Sequence, residues 1–290
     1  MHSFAEHNPI AVAVYFLCVA SVAMFCMHPV ILALSLLGAF ICCLMLQGVH
    51  PFRPHLYALL LLIGMTLLNP LISHRGTTIL FVMNHNPVTL EALIYGAAAG
   101  SMVLSSLYWF RSFSHIMTSD KLLYLFGALS PKLSLILSMT LRYVPLFGQQ
   151  VRKVRQSQQA LGLYKEDNIA DRFRGGVRIF SVMVTWALEN GIITADSMTA
   201  RGYGVGRRSR FTIFRWTASD RMLFAVSILL TLLTALGLHG HTAAYYPQFS
   251  LPPLTLRVIL GLASYGLLTL LPIIIQGKEA FRWHCLTSRI

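Results

Sequence analysis

From Ile10 to Gln47 the chain runs for 38 residues without one Asp, Glu, Lys or Arg. A helix needs about 20 mostly apolar residues to cross a bilayer, so this stretch is long enough for two crossings. His28-Pro29 divides it. Proline lacks an amide donor and restricts the residue before it, so the dipeptide closes a tight hairpin between runs Ile10–Met27 and Val30–Gln47. Further apolar runs follow at Leu56–Ile72, Leu90–Phe110, Met222–Leu238 and Leu256–Gln276.

Composition agrees with this pattern. The chain is 56% hydrophobic and only 11% charged, with mean hydropathy +0.64. Soluble domains carry roughly a quarter charged residues. The chain therefore reads as an all-α, polytopic membrane protein with six transmembrane helices. The start, "MHSFAEHNP", lacks a basic n-region, so the first run is expected to be retained as a helix rather than cleaved as a signal peptide. Cys18, Cys26, Cys42 and Cys43 lie in apolar runs, where a thiol packs as a small hydrophobe. Neither they nor Cys285 show a zinc-ligand spacing.

The formal charge is +13, and the stretch from Arg111 to Arg221 holds 17 of the 23 basic and 7 of the 10 acidic residues. In a soluble chain such a block would raise nucleic acid as a partner. In a polytopic one it marks the cytoplasmic side, and no nucleic-acid partner is expected. The connection "HGHTAAYYPQFSLPP" has no Lys or Arg, whereas the end of the chain carries Lys278, Arg282 and Arg289. Both termini are then expected inside, with Arg75 as the one loop charge outside. Three segments follow: 1–110 with the N-terminal spans, 111–221 as a cytoplasmic helical coupling domain, and 222–290 with the C-terminal spans and a short tail.

The charged segment is periodic. Apolar residues dominate from Leu133 to Phe147, then thin to a helical stripe at Val151, Val154, Gln158 and Leu161. Pro145 should kink this helix, and Gly162 is placed to cap it. A second helix is expected over Gly176–Ala200, with Arg178, Ser181, Thr185, Glu189 and Asp196 near helical spacing on one side, ended by Gly202, Gly204 and Gly206. Two helix ends should therefore project, Ala160-Leu161-Gly162 and Ala200-Arg201-Gly202.

"SLILSMTLRYVPLF" followed by "ADSMTARGYG", with "GTTILFVMNHNPVTLEALIYG" and "TSDKLLYLFGALSPKLSLILS" in order before them, resembles the transmembrane T component (EcfT, CbiQ-like) of energy-coupling factor (ECF) transporters. The resemblance runs from about residue 9 to residue 275. It implies a non-enzymatic scaffold of an ABC-type importer in a bacterial or archaeal cell membrane. Two ABC ATPase subunits, alike or unlike, and a substrate-binding S component would be its partners, and a vitamin or a transition-metal ion its cargo. Coupling helices ending in Ala-Arg-Gly motifs would dock into the ATPases. On that pattern Ala200, Arg201 and Gly202 form one docking motif. Ala160, Leu161 and Gly162 form the other, with leucine standing where arginine is expected. The chemistry of the residues suits docking: arginine presents a planar, permanently charged fork for a carboxylate, and glycine admits close backbone approach.

Supporting roles are expected for Arg155 and Gln158 near the first motif. Arg142 and Pro145 sit where a helix would leave the membrane, and Arg142 reads either as a brace there or as a snorkelling arginine. Arg207, Arg208 and Arg210 read as attracted to the anionic inner leaflet or, in the terms of the resemblance, as touching the ATPase surface or the other coupling helix. Glu91 reads as a carboxylate favoured in a first helical turn. Glu189 and Asp196 read as internal ion-pair partners. His239 and His241 have no third ligand nearby, so no metal site is expected. No phosphate-loop, HExxH or GxSxG pattern occurs, and no cofactor is expected. The Gly96–Gly100 run, Gly-Ala-Ala-Ala-Gly, permits close helix approach and is expected to pack on another helix, in the terms of the resemblance that of the S component. The competing reading is a membrane-embedded enzyme with its active site in the cytoplasmic helices.

Overall fold

The computed structural model describes residues 4–47, 52–73, 76–83, 86–162, 169–206, 214–240 and 243–287. Among them are nine α-helices and one short hairpin. The helices are α1 (Pro9–Phe25), α2 (Pro29–Gln47), α3 (Phe52–Ile72), α4 (Leu90–Ile116), α5 (Ser119–Leu129), α6 (Pro131–Ala160), α7 (Ile169–Ala200), α8 (Ala218–Leu238) and α9 (Leu256–Thr287). The all-α membrane fold read from the sequence is the fold observed. The chain divides into two compact units, one built from Met1–Lys121 with Phe214–Ile290 and the other from Leu122–Ile213.

In the first unit α1 lies at the centre. It is apolar all round, and Val12, Tyr15, Phe16, Val19 and Ala23 are buried while Leu17, Met24 and Phe25 are exposed. Phe4, Tyr15, Phe16 and Trp109 pack edge to face at ring separations of 5.3–6.4 Å. Two polar tips in this core find partners. Tyr15 Oη donates to Leu268 O at 3.1 Å, and Trp109 Nε1 donates to Ser35 Oγ at 3.1 Å. An unpaired polar atom in such surroundings would cost about 1–3 kcal/mol.

Two glycine contacts draw helices together. Gly237 of α8 lies so close to α9 that an added Cβ would meet Arg257 O at 2.7 Å and Gly261 Cα at 2.8 Å. Beside this crossing Thr234 and Ser264 share a hydrogen bond of 2.9 Å. Gly96 of α4 is pressed onto α3, where a Cβ would stand 2.9 Å from Asn69 Cβ and 3.0 Å from Thr66 O. The Gly96–Gly100 run thus packs on another helix, as expected, and that helix is α3 of the same chain. Asn69 Nδ2 donates to Ala92 O at 2.6 Å across the same contact.

The start of α8 is fastened to the start of α1. Thr217 and Asp220 form a reciprocal capping box. Asp220 Oδ1 also lies 2.6 Å from His7 Nδ1 and accepts from Asn8 N at 3.1 Å. Between α3 and α4, β1 (Ile79–Met83) and β2 (Asn86–Thr89) pair antiparallel, with Phe81 opposite Val88 and an irregularity between Ile79 and Phe81. Glu91 is buried beneath this connection and accepts from Thr78 N at 3.2 Å and Thr77 Oγ1 at 3.2 Å. It therefore holds the connection to the first turn of α4, a structural use in keeping with its expected place.

By length and apolar composition six helices suffice to cross a membrane: α2, α3, α4, α7, α8 and α9. The reading from sequence counted α1 and left α7 out. At 17 residues α1 spans about 25 Å, slightly less than an about 30 Å hydrocarbon core. α7 meets the composition test but carries Asp171, Arg174, Arg178, Glu189 and Asp196 on one face.

The second unit is made of the later part of α5 with α6 and α7. α7 starts at Ile169 rather than Gly176, because the Gly175-Gly176 pair, a poor helix former, is carried inside the helix with Gly175 buried. Tyr143 Oη shares a hydrogen bond of 2.7 Å with Thr194 Oγ1, and the Phe147 ring meets Trp186 edge to face at 5.3 Å. Moving forward along α6 thus means moving backward along α7, so the two helices cross with opposite chain sense.

Candidate functional site

The two projecting ends are built alike. At the end of α6, Leu161 N donates to Ser157 O at 3.1 Å and Gly162 N donates to Gln159 O at 3.0 Å. At the end of α7, Arg201 N donates to Ser197 O at 3.2 Å and Gly202 N donates to Thr199 O at 2.9 Å. Gly162 has φ +68° and Gly202 φ +78°, the left-handed conformation that ends a helix and that side chains resist. Nothing lies within 4 Å of a Cβ placed on either glycine. Ala160, Leu161, Ala200 and Arg201 are exposed, Leu161 by 72%.

The supporting residues separate. Gln158 is turned inward and buried, and its Oε1 has no hydrogen-bond partner among the described residues, so Gln159 is the outward amide. Arg155 is exposed one and a half turns earlier, and Arg142 is exposed before Tyr143. Pro145 lies within a helix that runs unbroken from Pro131 to Ala160. Beyond Gly202 the chain turns again at Gly204, with φ +94°, and exposes Tyr203 and Val205. Sequence reasoning did not single out these two side chains, although tyrosine and valine between glycines were there to be read. Arg207, Arg208, Arg210 and His241 lie outside the described residues.

Because α6 and α7 cross with opposite sense near Tyr143–Phe147 and Trp186–Thr194, their tips lie on opposite sides of the crossing. Each is on the order of 15–25 Å along its helix from that point. α7 also presents an uncovered apolar face. Ile169, Phe173, Val177 and Phe180 are exposed and, with Arg172 and Gly176, line a shallow notch of about 450 Å³. No group of three or more His, Cys, Asp or Glu side chains stands ready for a metal ion among the described residues.

A multi-pass helical membrane protein with a separate unit bearing two matched, exposed helix tips is the class that this architecture defines. The chain belongs to the CbiQ family, described as cobalt transport protein, which matches residues 2–213. It is similar to the energy-coupling factor transporter transmembrane protein EcfT 1 of Listeria monocytogenes, 33% identical over 34% of this chain and 38% of that protein. It is likewise similar to the EcfT proteins of Listeria innocua, 30% identical over 35% of this chain and 40% of the relative, and of Exiguobacterium sibiricum, 31% identical over 37% and 39%. The matched stretch thus spans about two fifths of each curated relative's length.

Proposed function

We propose that this chain is the transmembrane scaffold of an ECF-type ABC importer, carrying ATPase closure through α6 and α7 to a substrate-binding S component. The observation that carries the reading is the pair of tips: two exposed Ala-X-Gly helix ends with matched backbone closure, in a chain of the CbiQ family. A helix is stiff along its axis, so a force applied at a tip reaches the crossing at Tyr143 and Trp186 without being absorbed in a loop. The chain itself performs no chemistry in this scheme. Two ABC ATPase subunits hydrolyse ATP, and the S component selects a vitamin or a transition-metal ion.

In this reading residues 111–221 face the cytoplasm of a bacterial or archaeal cell, α1 is a span, and both termini are inside. Arg75 and Arg257, the latter in the first turn of α9, are the basic residues left outside. Arg142 and Pro145 lie on the part of α6 that meets α7, while Arg155 and Gln158 support the first tip. Arg201 binds a carboxylate of an ATPase groove, and truncating such a desolvated pair costs about 2–5 kcal/mol.

The test is purification of the tagged chain from its native membrane beside Arg201→Glu. ABC ATPases should accompany the wild type and be lost from the variant while both chains remain in the membrane. Wild type that recovers no ATPase ends the scaffold reading.

A further inference from the structure

The hairpin between α3 and α4 shows apolar side chains to its surroundings. Ile79 is 60% exposed, Leu80 52% and Val82 62%. The pairing register gathers them. Side chains alternate along a strand, so on β2 Pro87 and Thr89 share one face and the buried Val88 takes the other. Ile79 stands opposite Thr89 and Val82 opposite Pro87, which puts both on the first face although they are three residues apart. The irregularity between Ile79 and Phe81 makes this possible, and Leu80 is the residue it inserts. From Gly76 to Leu90 there is no Asp, Glu, Lys or Arg.

The root of the hairpin is held against the spans. Thr89, the last residue of β2, is the N-cap of α4, and β2 also packs on α3. Leu90 N donates to Thr78 O at 3.0 Å, Thr78 N donates to Glu91 Oε1 at 3.2 Å, and a Cβ on Gly76 would stand 2.6 Å from Glu91 Oε2. The hairpin therefore stays at the level where α4 begins. At the same level α3 ends on exposed Leu71 and Ile72. Hydrocarbon suits these side chains but not the sheet that carries them. Among the described residues the sheet has two strands, so its outer edges present backbone donors and acceptors that acyl chains cannot satisfy. The boundary between headgroups and acyl chains serves both. We propose that the hairpin is an interfacial lipid anchor. Ile79, Leu80 and Val82 enter the acyl-chain boundary, while the strand edges bond to water and headgroups. Interfacial anchors set how a span sits in the bilayer, so the hairpin fixes the depth of α3 and α4.

Two measurements on the full chain test the anchor. In the first, the photocrosslinking residue p-benzoylphenylalanine replaces Val82 or, as a reference, Leu67 on the exposed face of α3, and native membranes are irradiated. Intact-mass analysis should find a phospholipid adduct at both positions. A protein crosslink at Val82 would assign the face to a second copy or another subunit and overturn the anchor. No product at Val82 beside an adduct at Leu67 would place the face in water and overturn it too. In the second, Val82→Cys carries the fluorophore NBD in phosphatidylcholine–phosphatidylglycerol vesicles. The background is Cys26→Ala with Cys285→Ala, which leaves the buried Cys18, Cys42 and Cys43. A lipid nitroxide near the headgroup should quench NBD roughly twofold more than one at mid-chain. Equal quenching, stronger quenching from mid-chain, or none from either overturns the interfacial position.

Discussion

The two units bury themselves to very different extents. The first encloses Trp109, Tyr15, Tyr265 and Leu268 almost completely, whereas among the described residues of the second only Met183 is a buried hydrophobic side chain. Yet the second unit is rich in large apolar groups, with Phe173, Phe180, Leu188, Ile192 and Ile193 all more than half exposed. Lipid tolerates apolar surface on the spans of the first unit, because hydrocarbon is as apolar as leucine. On the proposed reading the second unit lies outside hydrocarbon, where the same exposure is unfavourable by about 25 cal/mol per Å². The first unit is therefore specified by its interior and the second by what it presents.

The sharpest way to break this contrast is to truncate one aromatic in each unit. Trp109→Ala should cost about 3–5 kcal/mol, through lost packing and an unpaired Ser35 hydroxyl, and thermal unfolding in detergent should show a large fall in Tm. Trp186→Ala, at the half-exposed crossing with Phe147, should cost less than half of that and, on the proposed scaffold reading, weaken ATPase recovery instead. An equal loss of Tm in the two variants would mean that the second unit has an interior as decisive as the first.

Glycines sharpen it further, because one substitution should have opposite signs. Gly237→Ala forces a methyl into backbone atoms of α9 at 2.7–2.8 Å that cannot rotate away, and should cost about 1–3 kcal/mol. Gly191→Ala meets nothing within 4 Å inside α7 and should stabilise by about 0.5–1 kcal/mol, since alanine is the better helix former. Chemical denaturation of the two variants reads both signs.

The smallest effect concerns His28, in the turn between α1 and α2. Burial lowers its pKa from the ordinary value of 6.5. The unfolded chain then binds the proton more readily than the folded one, so stability falls as pH drops through the unfolded value. Tm should be lower at about pH 5.5 than at about pH 7.5, and His28→Gln should narrow that difference. A Tm difference unchanged by the substitution would assign the acid sensitivity to other groups.

Much of this architecture is legible along the chain because lipid imposes a length rule. Six apolar runs locate α1 to α4, α8 and α9, and Gly162 marks the end of α6. The hairpin of β1 and β2 escaped notice although "ILFVM" before "NHNP" carries strand and turn signals. α5 and the first two turns of α7 were missed for a different reason: short helices and Gly175-Gly176 have weak local preferences, which packing overrides. The tips themselves were readable as Ala-X-Gly, but not the inward turn of Gln158, which depends on how the helix is rotated. Nor does any local pattern announce that His7 meets Asp220 across 213 positions of sequence.

That last contact has a consequence in time. The bundle that α1 centres is not complete when the last residue of α1 is added, because Asp220 is still nearly 200 residues from being made. At 5–20 residues per second the wait is on the order of 10–40 s. Throughout it the buried flank of α1, with Asn8 and His7 at its head, has α2 and then α4 for company but no α8. The second unit is translated inside this interval. A newborn chain therefore holds α6 and α7 in being before α8 can close on α1, and the clasp between His7 and Asp220 records the moment of closure.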